Sequence, residues 1–336
     1  MDMKEMIRSF PNQLLEQYDA LKTIDLDEFS DIDRIVICGM GGSAISGDIA
    51  KLILGNNIKK EIHIIRDYDC SDIYKTNSTL FIMSSYSGNT EETLSMYAVA
   101  KSYSDKIICV TTGGELKKRA VRDNISIVSI PSDFQPRAAL GYSLMSLMVI
   151  LNKLDLIPSS SIESILDSIP ELNLFYNQSC KKEQYAYKLA KNIYDGLILI
   201  YGTSSTSPII SRFRAQIAEN AKILSSDHIL PEMNHNEIEG FGSNFLPLIS
   251  KNVIWIYDKD DHEQILKRID ITSEIFKSMK INNFDISIND CAKDNFTSRT
   301  LKLIYLTDWV SYYLAEFNDV NPVPVDIIMK LKNKMA

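Results

Sequence analysis

Residues 79–103, with the sequence TLFIMSSYSGNTEETLSMYAVAKSY, hold the pattern that decides the fold. Their first part, TLFIMSS, is a short apolar run typical of a buried strand, and TEETLSMYAVAKSY has the composition of a helix. Hydroxyl side chains, a glycine and an amide lie between them, in SYSGNT. A strand that leads through a short polar turn into a helix is the unit from which parallel α/β sheets are built.

The same alternation extends along the chain and predicts two similar α/β domains, residues 1–156 and residues 157–336. In the first, a helix is predicted over PRAALGYSLMSLMVILNKL (136–154), after the strands RIVICGM, EIHIIRD, TLFIMSS, KIICVTT and ISIVSI. Two amphipathic helices are expected up to about residue 194. The later predicted strands are GLILIYG, NVIWIYD and FDISI, between helices over about 207–222, 265–279 and 298–317, and VDIIMKLKNKM predicts a last helix.

Composition excludes several classes of partner. The 336-residue chain has a net charge of −8 and a pI near 5.2, which argues against nucleic acid and anionic membranes. Five scattered cysteines without a CxxC pair indicate neither a disulfide framework nor a zinc site. The start MDMKEMIRSF lacks the pattern of an export signal, and the apolar run AALGYSLMSLMVIL is too short and interrupted to span a bilayer. We therefore expect a cytoplasmic protein.

The polar turn of residues 85–90 is a candidate anion-binding site. It lies where a strand ends and a helix begins, and the first backbone N–H groups of a helix have no intrahelical partner. Ser85, Ser87 and Thr90 add neutral donors, and Gly88 permits a tight turn. The alternative is that these hydroxyls only cap the helix. The residues alone leave both interpretations open.

A second glycine-containing stretch, CGMGGSAISGD (38–48), also follows a predicted strand and opens a helix. Its glycine spacing does not match a dinucleotide-binding fingerprint, and it lacks the Gly-Lys-Ser/Thr ending of a Walker A loop. The glycines could serve close packing of strand and helix. Ser43 favours the approach of a ligand instead, with Gly41 and Gly42 as a substrate loop.

Together these segments resemble the sugar isomerase (SIS) domain. GMGGSAISGD and SSYSGNTEET resemble its two loops, and PRAALGYSL with AENAKILSSDHILPEMNHNEIEGF resembles the bifunctional phosphoglucose/phosphomannose isomerase family over essentially the whole chain. The resemblance implies two flavodoxin-like SIS domains, each a five-stranded parallel sheet flanked by helices. It also implies an isomerase for glucose 6-phosphate, mannose 6-phosphate or both, which needs no metal or other cofactor. Ser46 departs from the glycine that the family more often has.

The resemblance also implies roles for individual residues. The substrate phosphate would be held by four hydroxyl side chains, Ser43, Ser85, Ser87 and Thr90. Glu219 of AEN would be the base, and Arg137 of PRAAL would stabilise the intermediate. His235 of MNHNE and Lys332 of MKLK would serve ring opening. Relatives are homodimers in which the partner chain supplies this histidine, so a homodimer is expected.

The chemistry agrees with these residue types. A partly buried carboxylate such as Glu219 can take a proton from carbon, and a permanent cation such as Arg137 can stabilise a negative cis-enediolate. From position alone, the default for Glu219 is pairing with a nearby arginine on a solvated face, and Arg137 could bond a carbonyl where its helix begins. His235 and Lys332 could be surface residues. The glutamates that flank His235, Glu232 and Glu237, lack the spacing of a metal site. The alternative function is a sugar-phosphate-binding regulator, but the sequence contains no basic DNA-binding segment.

Overall fold

The structure is a computed structural model that describes residues 1–26, 29–58, 60–242, 250–286 and 295–335. The chain forms two compact units. The first contains Met1 and Glu5–Glu171, and the second contains Asp2–Lys4 and the chain from Leu172 onward. Both contain a parallel sheet flanked by helices, which confirms the predicted α/β fold.

The first sheet has the five strands that the sequence predicts. They are β1 (Arg34–Cys38), β2 (Glu61–Ile65), β3 (Thr79–Ser85), β4 (Ile107–Thr111) and β5 (Ser126–Ser129). The helices up to this unit's end are α1 (Met3–Arg8), α2 (Phe10–Leu21), α3 (Gly41–Leu54), α4 (Glu91–Tyr103), α5 (Gly114–Arg122), α6 (Leu140–Lys153), α7 (Ser159–Asp167) and α8 (Ile169–Phe175). The apolar runs form buried strands because helices cover the sheet, and all seven residues of β3 are buried.

The strand order places the two sequence motifs beside each other. All neighbouring strands of the first sheet are parallel, in the order β2-β1-β3-β4-β5. Strands β1 and β3 pair in a register that sets Cys38 opposite Met83. From β1 the chain continues to β2 on one side of the sheet, and from β3 it continues to β4 on the other side. The carboxyl ends of β1 and β3 therefore form the crevice in which open α/β sheets bind ligands.

The second unit repeats this order with four described strands. They are β6 (Leu197–Gly202), β7 (Ser225–Ile229), β8 (Lys251–Ile256) and β9 (Asn282–Ile286), all parallel in the order β7-β6-β8-β9. Its helices are α9 (Tyr185–Ile193), α10 (Ser207–Gln216), α11 (Glu263–Ser278), α12 (Phe296–Phe317) and α13 (Asp326–Met335), and two π-helical turns span Tyr176–Cys180 and Ile217–Ala221.

Several details differ from the sequence-based expectation. A fifth strand was expected in the second sheet, whereas the described residues form four. Strand β7 was not predicted, because SSDHI is a polar edge strand with side chains that are mostly half-buried. Helices α1 and α2 were not predicted either. Residues 287 and 288 of the FDISI prediction, and Cys291, lie outside the described residues.

The predicted domain boundary at residues 156/157 stays a prediction. It falls in the loop after α6, whereas the first compact unit continues through α7 to Glu171.

Candidate active site

The loop after β3, residues 86–90 and here called the β3 loop, is built from hydroxyls that bond to one another and to the backbone. The Ser85 and Thr90 hydroxyl oxygens lie 2.9 Å apart, and the Ser85 hydroxyl accepts the N–H of Gly88 at 3.1 Å. The Ser87 hydroxyl accepts the N–H of Asn89 at 3.2 Å. Thr90 is the N-cap residue of α4, yet its side chain makes no capping hydrogen bond. The hydroxyl of Thr90 therefore turns toward Ser85 rather than capping its helix.

Only glycine fits at position 88. The φ angle of Gly88 is +67°, and a Cβ atom there would lie 1.8 Å from the carbonyl oxygen of Gly113. The side-chain oxygen of Asn89 accepts the N–H of Glu115 at 2.9 Å, which ties the loop to the start of α5. The β3 loop is thus fixed on both sides by its neighbours.

The loop after β1, residues 39–43 and here called the β1 loop, is joined to the β3 loop. The Ser43 hydroxyl accepts the N–H of Tyr86 at 3.2 Å. Met40, the N-cap residue of α3, makes no side-chain capping hydrogen bond, so two helix amino ends meet here without side-chain caps from their N-cap residues. Gly41 has a φ angle of +49°. Ser46 fits inside α3 because its hydroxyl donates to the Ser43 carbonyl at 2.8 Å.

Arg137 lies beside these loops, in a 3-10 turn of residues Pro136–Ala138. A Cβ atom on Gly42 would lie 2.7 Å from the Pro136 carbonyl oxygen and 3.4 Å from the Arg137 Cα. The Arg137 side chain is 4% exposed, and its Nη1 donates to the Gln135 side chain at 3.5 Å. The first unit therefore brings Arg137 together with the predicted phosphate-binding loops.

Gln13, on α2, holds this arginine turn in place and was not predicted. Its amide nitrogen donates to the Ala138 carbonyl at 2.8 Å, and its oxygen accepts the N–H of Gly141 at 3.0 Å. The Tyr86 hydroxyl also accepts the N–H of Phe134 at 2.9 Å, just before the turn. The sequence signal for Gln13 is a pair of amides, Gln13 and Gln17, on a helix face whose other buried residues are apolar.

Glu219 lies in the second unit, half-buried in the π-helical turn that continues α10. Buried side chains on both sides of it bond to α12: Gln216 donates to Asp308 at 2.9 Å, and Asn220 donates to Ser311 at 2.9 Å. Arg212 pairs with the same Asp308 at 2.6 Å. These bonds hold the wide turn, and such turns within helices occur frequently at functional sites.

The end of this turn contacts the chain just before the last helix. Lys222 has a left-handed backbone, and its ammonium group donates to the Pro324 carbonyl at 2.8 Å, two residues before α13. Lys332 is exposed on α13, as are Lys330 and Lys334. The structure does not single out one of these three lysines.

His235 ends a 3-10 turn of residues Glu232–His235 and is exposed. The residue two positions before it, Met233, is fully buried in the core of the second unit. Glu219, His235 and Lys332 thus lie on three separate elements of one unit.

The second sheet has its own pair of loops at the carboxyl ends of β6 and β8. Both oxygens of Asp261 accept hydrogen bonds there, from Thr203 Oγ1 at 2.8 Å, Ser205 Oγ at 2.7 Å and the Asp258 N–H at 2.9 Å. The buried Asp258 pairs in turn with Arg299 of α12 at 2.7 Å. At the carboxyl ends of β6 and β8, the Asp261 carboxylate therefore already accepts the hydrogen bonds that these donors could give to a ligand.

The described residues contain neither a metal cluster nor a membrane-spanning helix. Across the part of the chain that the structure describes, no group of three or more His, Cys, Asp or Glu side chains is placed to hold a metal ion. Within the same residues, no helix is long and apolar enough to cross a membrane.

Comparisons with known proteins identify the class first. The family model of the bacterial phospho-glucose isomerase C-terminal SIS domain matches residues 182–335. In fold, the chain is similar to the C-terminal domain of glucosamine-fructose-6-phosphate aminotransferase from Francisella tularensis, with a TM-score of 0.71 at 14% identity, covering 94% of this chain and 96% of that one. Residues 182–335 therefore match the class of SIS domains, and nearly the whole chain shares its fold with a protein that acts on sugar phosphates by name.

Sequence relatives then define the family. The chain is 38% identical to the bifunctional phosphoglucose/phosphomannose isomerase of Caldicellulosiruptor bescii over 99% of each chain. It is 32% identical to the protein of the same name from Aquifex aeolicus, over 99% of this chain and 98% of the relative. The chain belongs to the bifunctional phosphoglucose/phosphomannose isomerase family, and the prediction of an isomerase is confirmed.

Proposed function

We propose that the protein interconverts glucose 6-phosphate, mannose 6-phosphate or both with fructose 6-phosphate, through a cis-enediolate. The observation that carries this proposal is the joining of the β1 and β3 loops by the Ser43 hydroxyl, at two helix amino ends whose N-cap side chains do not cap them. An anion suits that position. Full-length relatives named for this reaction support the choice of substrate.

The phosphate group would be held by neutral donors. Four hydroxyl side chains, Ser43, Ser85, Ser87 and Thr90, and the first N–H groups of α3 and α4 would bind its oxygens. An acidic chain with a net charge of −8 repels anions in general, so a local array of dipoles is the suitable way to hold one. With the phosphate fixed, carbons 1 and 2 of the sugar take a defined position.

Glu219 would then move the proton. The C2–H bond breaks as the carboxylate accepts the proton, and the electron pair forms the double bond between carbons 1 and 2 while the carbonyl electrons move to oxygen 1. A proton moves from the hydroxyl on carbon 2 to oxygen 1, and return of the abstracted proton to carbon 1 makes the carbonyl at carbon 2. Carbon 1 is reduced as carbon 2 is oxidised, so no outside oxidant or reductant is needed. The guanidinium of Arg137 would stabilise the enediolate oxygens.

Ring opening precedes this step. The proton of the anomeric hydroxyl leaves and the ring oxygen gains one, and His235 with Lys332 would exchange these protons. As in the relatives that the sequence resembles, His235 would come from the second chain of a homodimer. The exposure of His235 in the single chain supports this assignment.

An assay of metal-stripped protein with fructose 6-phosphate tests the function. Chromatography that separates glucose 6-phosphate from mannose 6-phosphate is expected to detect one or both products, with no added metal or nucleotide. Binding of fructose 6-phosphate without either product would contradict the proposal and favour the sugar-phosphate-binding regulator instead.

A further inference from the structure

The segment of residues 230–242, here called the histidine segment, is anchored on both sides of His235. Leu230 and Met233 are buried before it, and Phe241 packs after it on Phe276 of α11, with ring centroids 4.2 Å apart. Asn234 donates to Thr272 of α11 at 3.0 Å. His235 is therefore an exposed residue in a segment that is packed against the second unit on both sides of it.

Glu237 differs from the other residues that hold this segment, because its carboxylate lies beside side chains of two strands. The Tyr201 hydroxyl, on β6, donates to Glu237 Oε1 at 2.8 Å, and His228 Nδ1, on β7, lies 3.2 Å from Glu237 Oε2. Tyr201 and His228 are register partners in the parallel sheet, so their side chains lie on the same face. Glu237 therefore bonds to β6 from the histidine segment and lies beside His228 of β7.

In the hydrogen bond between Tyr201 and Glu237, the phenol is the donor. Burial raises the pKa of the Tyr201 phenol, and the hydrogen bond to Glu237 raises it further, so the phenol keeps its proton and donates. The backbone N–H of Glu237 donates to the Asn236 side chain at 2.6 Å, and Asn236 donates to Glu232 at 2.7 Å. Glu237 and its neighbours thereby fix the chain directly after His235.

We propose that Glu237 is a positioning residue for His235, holding the histidine segment against Tyr201 and His228 so that the imidazole is presented in one place. This inference rests on the proposed function, in which His235 serves ring opening. Because the side chain of Glu237 is 34% exposed, its charge adds little to the stability of the fold. The contacts of Glu237 act mainly on the position of His235. A displacement of about 1 Å of such a group can cost about 10²-fold in rate.

Substitutions of Glu237 test the proposal with a matched control on the same segment. Glu237→Ala is expected to lower kcat about 10-fold to 10²-fold, with KM for fructose 6-phosphate changed less than about twofold. Glu237→Gln keeps an acceptor for Tyr201 and should recover most of the activity. Glu239→Ala removes the same charge from an exposed position two residues away and should match the wild type.

A double-mutant cycle with His235→Ala links the effect to the histidine. If Glu237 acts through His235, the double variant His235→Ala with Glu237→Ala should be no slower than His235→Ala alone. Multiplied losses would mean that Glu237 acts elsewhere and would overturn the proposal. A kcat of Glu237→Ala equal to that of Glu239→Ala would also overturn it.

Failures of the two proposals are distinguishable. A normal kcat for His235→Ala would remove the role of the histidine and, with it, the role of Glu237. A slow His235→Ala beside a normal Glu237→Ala would remove Glu237 alone. If Glu237→Ala does not fold, Tyr201→Phe removes the donor while keeping the ring, and a smaller fall in kcat is expected at an unchanged melting temperature. An unchanged kcat for that variant would contradict the proposal.

Discussion

The two sheets share a strand order but differ at the crevice that this order creates. In the first unit, neutral hydroxyls and backbone N–H groups converge at the carboxyl ends of β1 and β3. At the matching ends of β6 and β8, the Asp261 carboxylate accepts from Thr203, Ser205 and a backbone N–H. The second crevice therefore contains an anion that belongs to the chain, and a phosphate would meet like charge there.

We therefore propose different roles for the two units. The first offers donors suited to a phosphate, and the second offers the ionisable side chains Glu219 and His235. Glu219 lies not at the crevice but after α10, in the π-helical turn that buried bonds to α12 hold. Substitutions of the hydroxyl side chains in the first crevice should therefore change substrate binding, and those at Glu219 should change turnover.

The largest expected effect is that of Glu219→Gln. Replacing the base with an amide of the same shape should lower kcat by about two to four powers of ten, because proton transfer loses its acceptor. Binding of a non-reacting sugar-phosphate inhibitor, measured by calorimetry, should persist because the phosphate loops are unchanged. Glu239→Gln is the control for loss of charge. Near-normal turnover of Glu219→Gln would end its assignment as base.

Mixing two inactive variants tests whether His235 acts across a homodimer. Chains with Glu219→Gln and chains with His235→Ala are co-expressed, so that random pairing makes half of the dimers mixed. Each mixed dimer would hold one intact site of two, and the mixture should recover up to roughly a quarter of wild-type activity. Mixed dimers that show no recovery would place Glu219 and His235 of the same chain in each site.

A smaller effect is expected in the first crevice. Ser87→Ala combined with Thr90→Ala removes two donors from a shared phosphate and should raise KM about 10-fold or more, with a smaller change in kcat. Ser205→Ala is the matched control, since its hydroxyl serves Asp261 in the second crevice. An unchanged KM for both sugar phosphates would return Ser87 and Thr90 to a purely structural role.

The smallest effect on activity is expected at Asp261. Asp261→Ala leaves the donors of Thr203 and the Asp258 backbone without their acceptor, which should lower the free energy of unfolding by about 1–3 kcal/mol. Steady-state kinetics of the folded variant should give kcat and KM within about twofold of the wild type. A large rise in KM would mean that the second crevice contacts substrate, and the contrast between the units would fail.

The parts of the fold that depend on local pattern were predictable. Strands β1 and β3 are continuous apolar runs, so their periodicity and the polar turns after them locate the first crevice. Strand β7 was missed because an edge strand with half-buried side chains needs few apolar residues. The sequence SSDHI therefore resembles a loop.

The parts of the site that depend on distant contacts were not predictable. GTSST (202–206) is as rich in hydroxyls as SYSGNT, and nothing in its composition shows that Asp261, over fifty residues later, accepts its hydrogen bonds. The π-helical turn at Glu219 likewise depends on Asp308 and Ser311 of α12. Resemblance to a family, rather than spacing, identified Glu219 and His235 as candidates.

Hydrogen exchange at carbon 2 of the sugar tests the division of roles most directly. Glucose 6-phosphate or mannose 6-phosphate is incubated with the protein in deuterium oxide, and proton NMR follows the signal of the hydrogen at carbon 2. The wild type should replace this hydrogen with deuterium, and the variant with Ser87→Ala and Thr90→Ala should do so once substrate saturates it. Glu219→Gln should bind the sugar phosphate without exchange. Exchange at the wild-type rate in Glu219→Gln would contradict the assignment of binding to the first unit and proton transfer to the second.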